Sequence, residues 1–200
     1  SLLPKYRGAA PINWAIINGE KESGISIIKM NETVDAGDLL LQKKLAIEQS
    51  DNAEIFEAKL EGLSALSLIE ALDLITKGQA KFTKQDDALA SFAPKLEKHH
   101  GLIEWDKNAR DIVNQIRGLI PWPGAWTYYQ GKILKICKAE AVEGGLNKPG
   151  EVSLADKSGI IVDTARGTLR ITELQMEGGR RLDVEAFLCG HKLAVGDRLG

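Results

Sequence analysis

SLLPKYRGAAPINWAIINGEKESGISIIKMNETVDAGD, Ser1–Asp38, sets the class of the first part of the chain. Pro11 stands at a first helical position ahead of Ile12, Trp14, Ile16 and Ile17, and Gly19 can end the turn, so Pro11–Asn18 is expected to be a short helix. Ser23–Met30 carries Ile25, Ile27, Ile28 and Met30 in near alternation, and Asp38–Ile47 is a second apolar run with Leu39, Leu40, Leu41 and Leu45. Both read as strands. Between them Asn31–Gly37 is small and acidic, which suits a tight exposed turn. Helix and strands together read as half of an α/β sheet.

Working outward, Phe56, Leu60, Leu63, Leu66, Leu72 and Ile75 recur mostly at three- and four-residue steps, so Asn52–Lys77 is expected to be a long helix stopped by Gly78. Asp51, Glu54 and Glu57 lie at its start, where negative charge favours the helix dipole by about 0.3 to 1 kcal/mol each. From Gln79 to Gly101 periodicity gives way to Lys81, Lys84, Asp86, Asp87, Lys95, Lys98, His99 and His100, the composition of an inter-domain linker. Asp106–Leu119 carries Ile112, Val113, Ile116 and Leu119 on helical spacing and must break at Pro121-Trp122-Pro123-Gly124. Beyond it, turn signals at Gln130-Gly131, Pro149-Gly150, Ser158-Gly159 and Arg166-Gly167 separate short alternating runs, Ile133–Lys138, Ile160–Thr164 and Thr168–Leu174, with a register change near Glu173. Such spacing fits a small OB-like β-barrel. The expected organisation is therefore an α/β unit over 1–80, a linker over 81–100 and a barrel over 101–200.

Composition narrows the function. With 26 basic and 28 acidic residues the net charge is -2, which excludes holding a polyanion by bulk charge, so any nucleic-acid site must be local. Two cysteines, Cys137 and Cys189, have no CxxC partner and indicate neither a disulfide framework nor a zinc site, and a reducing cytoplasm fits best. No apolar run approaches the roughly 18 residues of a membrane span. Walker, GxGxxG, HExxH and GxSxG signatures are absent. His99-His100 has no third ligand nearby, so no metal is expected.

The opening run with Met30-Asn31-Glu32-Thr33-Val34-Asp35-Ala36-Gly37-Asp38 resembles the second half of the catalytic domain of the 10-formyltetrahydrofolate-dependent formyltransferases. Within that group, Gly8-Ala9-Ala10-Pro11, Phe92-Ala93-Pro94-Lys95-Leu96, Gly101-Leu102-Ile103-Glu104-Trp105, Pro121-Trp122-Pro123-Gly124-Ala125 and the closing Gly196-Asp197-Arg198-Leu199-Gly200 resemble the methionyl-tRNA formyltransferase family most closely. Essentially the whole chain is covered. The resemblance implies the C-terminal half of a Rossmann-like formyltransferase domain followed by the barrel. It also implies transfer of a formyl group from 10-formyltetrahydrofolate to the α-amine of methionine on initiator tRNA, for translation initiation, by a monomer when intact.

Amine attack on an amide-like carbonyl needs a donor for the developing oxyanion, a group to manage the proton and a dry site. In the family an Asn-x-His pair and a downstream Asp supply the first two. Asp35 matches that Asp, and its alternative reading is a carboxylate that only stabilises the turn before Gly37. The Asn-x-His pair falls upstream of the segment matching Ser1, so this chain by itself is expected to be inactive. Ser1, Leu2, Leu3 and Pro4 match the folate-side loop, and Leu2 and Leu3 read equally well as core residues. Lys5 and Arg7 read as solvated charges that could instead meet an anionic group.

Candidate tRNA contacts are Lys95, Lys98, Arg117, Lys132 and Lys135, with Lys138 on the strand of Lys135. Odd spacing should turn Lys135 and Lys138 to opposite faces unless a bulge intervenes. Trp122, Trp126, Tyr128 and Tyr129 could stack on bases, but packing is the preferred reading. Two alternatives remain: a sugar-nucleotide N-formyltransferase, against which Ala9 and Lys95-Leu96 argue, and a non-catalytic RNA-binding module, which the net charge disfavours.

Overall fold

Pro11 opens the first helix and Asn52 the longest one in the computed structural model, which describes residues 1–145 and 148–200 and divides into two units, Ser1–Leu96 and Glu97–Gly200. In the first unit the elements are β1 (Arg7–Gly8), α1 (Pro11–Ile17), β2 (Glu22–Lys29), β3 (Asp38–Ala46), α2 (Ala53–Thr76) and β4 (Phe92–Ala93). β2 and β3 form an antiparallel hairpin from Glu22↔Ala46 to Lys29↔Asp38, with a register shift between Ile27 and Ile28. α2 packs on this hairpin and on α1, so that Ile16, Ala53, Phe56 and Leu60 are enclosed with Ile12, Ile25 and Leu45.

Three expectations for this unit change. Asn52 caps α2 by accepting the Ile55 N–H at 2.9 Å, while Asp51, expected to serve the helix dipole, lies outside the helix, is buried, takes the Glu48 N–H and pairs with Lys59 at 2.7 Å. The inner face of α2 is Ala53, Phe56, Leu60, Ser67 and Ala71, small in its second half, whereas Leu66 is 68% exposed and Leu72 and Ile75 are also exposed. Large apolar residues repeat around that half of the helix, so periodicity alone selected the wrong face. Finally, residues 81–96 are not a linker but part of the unit. Thr83 and Leu39 exchange two 2.8 Å backbone hydrogen bonds, Gln85 is buried, and β4 runs parallel to β1. These ties use backbone groups and polar side chains, which leave no hydrophobic period to read. β1–β4 is the one parallel pairing among the described residues of this unit.

The second unit contains α3 (Ala109–Gly118), β5 (Ala125–Tyr129), β6 (Lys132–Val142), β7 (Val152–Asp156), β8 (Gly159–Asp163), β9 (Thr168–Met176), β10 (Leu182–Asp183) and α4 (Val184–Gly190). All its sheet pairings are antiparallel, in the order β5-β6-β9-β8-β7, with β10 on β9. Alternation places Leu134, Ile136, Ile160, Val162, Leu169 and Ile171 in a core shared with Ile112 and Ile116 of α3 and Phe187 of α4. Irregular segments bridge the two end strands. Ile103 N–H reaches Trp126 O at 2.8 Å, and the closing residues give Leu199 N–H to Gly150 O at 2.8 Å and Gly200 N–H to Tyr128 O at 3.0 Å.

Register breaks between Ile136 and Lys138, and again between Lys138 and Ala139, leaving Cys137 and Thr172 without partners in the β6–β9 ladder. The bulge resets alternation, so that Lys135 and Lys138 are both exposed while Ile136 and Ala139 face the core. The two lysines therefore share the outer face, and the expectation that they oppose each other is corrected.

Tyr129 locks the C-terminal run. Its hydroxyl lies against Lys192 O and 2.9 Å from Asp197 Oδ2, and burial first, then the bond to Asp197 and its charge, push its pKa up to about 12. The unfolded phenol ionises near its ordinary value of about 10, so the folded state binds more protons above that pH and stability falls as pH rises from about 10 to 12. Thermal unfolding across this range should show a steeper loss for the native protein than for Tyr129→Phe, and parallel curves would contradict the assignment.

Candidate functional site

Asp35 sits in the β2–β3 turn in the left-handed region, with φ 56°, a conformation that Asp tolerates better than bulkier residues do. Asn31 organises the turn by accepting Thr33 N–H at 3.0 Å and donating to Ala36 O at 3.1 Å. Gly37 is required because a Cβ there would lie 2.0 Å from Lys29 O. The Asp35 carboxylate turns to β1, where Oδ2 accepts the Gly8 N–H at 2.8 Å. The Asp35 carboxylate also lies near enough to the Ser1 nitrogen for its charge to act there, at the start of the Ser1–Pro4 run. A half-exposed carboxylate with one oxygen fixed on a backbone donor can orient a neighbouring donor or hold a water with the other.

Ser1–Pro4 is tied down mainly through its carbonyls. Ser1 O accepts from Ser26 Oγ at 2.6 Å, Leu2 O from Lys5 N–H at 3.2 Å, Leu3 O from Gln42 Nε2 at 2.8 Å and Pro4 O from Ser91 N–H at 3.3 Å. Leu3 N–H donates to Ser26 Oγ at 3.1 Å, and the Leu3 side chain is buried, while Leu2 and Pro4 are half-buried. Leu3 thus serves the core, and Leu2 is the leucine of this run with accessible surface. Ser1–Pro4 and Asp35 come together in the first unit. A cavity of about 520 Å³ lies elsewhere, in the second unit, bounded by Arg110, Asp111, Glu143 and Arg166, and none of the expected site residues lines it.

The cation set divides. Lys95, Lys98, Lys132 and Lys135 are exposed, and none forms an ion pair among the described residues. Arg117 differs: half-buried on α3, it donates from Nη2 to Asn114 Oδ1 at 2.8 Å, so part of its guanidinium is engaged on its own helix. Arg7 is no solvated charge either, being 7% exposed and 2.9 Å from Asp87. The preference for packed aromatics holds for Tyr129 and in part for Trp126, which is half-buried and donates its Nε1–H to Lys98 O at 3.2 Å. Trp122 is 50% and Tyr128 42% exposed, and Trp126 lies edge-on to Tyr128 with ring centroids 5.3 Å apart. Trp126 is the register partner of Lys135, so an aromatic pair and two free lysines occupy neighbouring positions of β5 and β6.

Gln85, which the sequence did not single out, and Arg7, which it read as a solvated charge, complete the Asp35 surroundings. Gln85 Nε2 donates to Asp35 O at 2.8 Å and Gly37 O at 2.7 Å, and Gln85 Oε1 accepts from Arg7 Nη2 at 2.8 Å. Gln85 lies in a polar stretch without periodicity and gave no signal. The run Arg7-Gly8-Ala9-Ala10-Pro11 was the available clue to Arg7, and composition argued against burying its charge.

Residues 1–72 match the family described as "Formyl transferase", and residues 95–192 match "Formyl transferase, C-terminal domain". The methionyl-tRNA formyltransferase of Pelotomaculum thermopropionicum is 49% identical over 202 residues, covering 100% of this chain and 64% of that protein. That of Caldanaerobacter subterraneus subsp. tengcongensis is 48% identical, covering 98% of this chain and 63% of the relative. The chain thus spans a little under two thirds of the length of these relatives. Among solved structures, HypX from Aquifex aeolicus, crystallised in complex with tetrahydrofolic acid, superposes with a TM-score of 0.68 at 24% identity over 94% of this chain and 33% of that one, a likeness of fold. With matches along both units and nearly half its residues shared with full-length relatives, the chain belongs to the formyl transferase family.

Proposed function

We propose that the protein containing this chain transfers the formyl group of 10-formyltetrahydrofolate to the α-amine of methionine on initiator tRNA. The observation that carries the reading is the Asp35 carboxylate, fixed on Gly8 N–H, in a chain similar throughout to methionyl-tRNA formyltransferases. The family's Asn-x-His pair immediately precedes the segment matching Ser1, and in this reading its imidazole is the group that the unfixed Asp35 oxygen orients. The amine nitrogen attacks the formyl carbon, the Asn side chain donates to the oxyanion, and the imidazole takes the amine proton and returns it to the departing folate nitrogen. Asp35 holds that imidazole in the orientation that makes the exchange productive. Leu2 supplies apolar wall on the folate side, which limits water at the formyl carbon. No metal takes part in this scheme.

In this reading residues 1–80 complete a Rossmann-like domain and the second unit is an OB-like barrel for tRNA. Lys98, Lys132, Lys135 and Lys138, with Trp126 and Tyr128, offer phosphates free cations and bases a stacking surface, and Lys95 offers a further cation from the first unit. Both cysteines are free thiols, which fits the cytoplasmic, monomeric enzyme we propose.

The test is formyl transfer by the protein at the full length of its relatives, offered initiator methionyl-tRNA or an amino-sugar nucleotide. Turnover is expected only with the tRNA. Lys135→Glu/Lys138→Glu should raise KM for tRNA about tenfold at unchanged kcat and reduce the slope of log affinity against log salt by about 2, one for each phosphate that no longer meets a cation. Turnover with the sugar nucleotide would assign the protein to that alternative, and an unchanged KM would remove the β5–β6 face from the tRNA site.

A further inference from the structure

We infer that Gln85, carried on Arg7, is a positioning residue that sets the Asp35 carboxylate, an inference whose catalytic meaning rests on the function proposed above. Gln85 is 6% exposed and its amide is saturated. Both N–H groups are spent on loop carbonyls, Asp35 O at 2.8 Å and Gly37 O at 2.7 Å, and Oε1 accepts from Arg7 Nε at 3.2 Å and Nη2 at 2.8 Å. The arrangement admits one orientation, since a flipped amide would set N–H groups against the guanidinium and an oxygen against two carbonyls. Arg7 is anchored in turn by Asp87 at 2.9 Å.

These bonds close a ring. Gln85 holds the backbone of Asp35, the Asp35 side chain holds Gly8 N–H, Gly8 follows Arg7 in the chain, and Arg7 holds Gln85. Gly8 is pinned from the other side as well, because a Cβ there would lie 2.7 Å from Ala93 O. Donor and acceptor are thus located by the same four residues, so the direction of the carboxylate is set by the ring rather than by the turn alone. Gln85 and Asp87 fall between the two matched family segments, which end at residue 72 and resume at 95. The family match therefore assigns them no role.

Glu at position 85 accepts from Arg7 but cannot donate to the carbonyls, whereas Met of similar length does neither. In the full-length protein labelled with 15N-glycine, the native Gly8 amide proton should resonate downfield and move as Asp35 is protonated. Gln85→Glu should abolish that response while β2–β3 amides stay in place, and should lower kcat at least tenfold with KM for folate and tRNA within twofold. Gln85→Met should do the same and also lower Tm, because the buried Arg7 loses an acceptor. A Gly8 amide that still follows Asp35 in both variants would overturn the inference. So would loss of that response with kcat intact in a protein that Asp35→Asn inactivates. If Asp35→Asn leaves kcat unchanged while Gln85→Glu abolishes the Gly8 response, the ring positions Asp35 as inferred and the catalytic reading is the part that fails.

Discussion

On the reaction proposed above, replacing Asp35 by Asn in the full-length protein is expected to lower kcat for formyl transfer by about 10²- to 10⁴-fold, the usual contribution of a group that manages a proton in the transition state. Asn keeps a carbonyl oxygen to accept the Gly8 N–H, so the turn and the Gln85 hydrogen bonds persist and the loss reports the missing charge. The groups proposed above to bind folate and tRNA are untouched, so KM for both substrates is expected to stay near its native value. Asp35→Ala removes the acceptor as well, and should be no more active and slightly less stable. Steady-state kinetics with initiator methionyl-tRNA checks both, and native kcat in Asp35→Asn would return the residue to a turn-stabilising role.

The largest stability change is expected at Phe187. It is fully buried among β7–β10 side chains and stacks on His191 with ring centroids 4.2 Å apart and planes 9° apart. Phe187→Ala should cost about 3 to 5 kcal/mol through lost transfer energy and a cavity, a large share of the roughly 5 to 15 kcal/mol that holds a domain folded. At about 4 °C or more per kcal/mol, the unfolding temperature of the second unit falls by on the order of 15 °C. Leu66→Ala, although it deletes an equally apolar side chain, should stay within about 0.5 kcal/mol because the native leucine is 68% exposed. Calorimetry on the two variants separates burial from hydrophobicity, and equal losses would contradict the packing of α2.

What could be read from the sequence was what depends on neighbours in the chain. Pro11, Asn52 and Gly78 bound helices where local backbone chemistry puts them, and the β2–β3 and β9 alternation marks real strands. Asp35 was found through the resemblance of its flanking residues, since an acid before a turn glycine is otherwise unremarked. What could not be read depends on distant pairing. Arg7 is buried only because Gln85 and Asp87, nearly 80 positions on, meet its charge, and neither has a pattern that announces it. Residues 81–96 looked like a linker because their order comes from backbone bonds to Leu39, Arg7 and Pro4. Trp122 and Tyr128 were read as packed because aromatic residues near prolines usually are, yet both lie open.

The unmatched Cys137 makes β6 tolerant of changes in kind and of changes in length at that position, but not elsewhere along the strand. Replacing its half-buried side chain with one of similar size alters one site. Deleting it would leave unbroken two-residue alternation with every residue beyond it on its present side, Lys138 and Glu140 outward and Ala139 inward, whereas deleting Ala139 would turn Glu140 inward. A single lost codon at the bulge would thus spare both the cationic face and the core of the second unit, where one lost two positions further on would not.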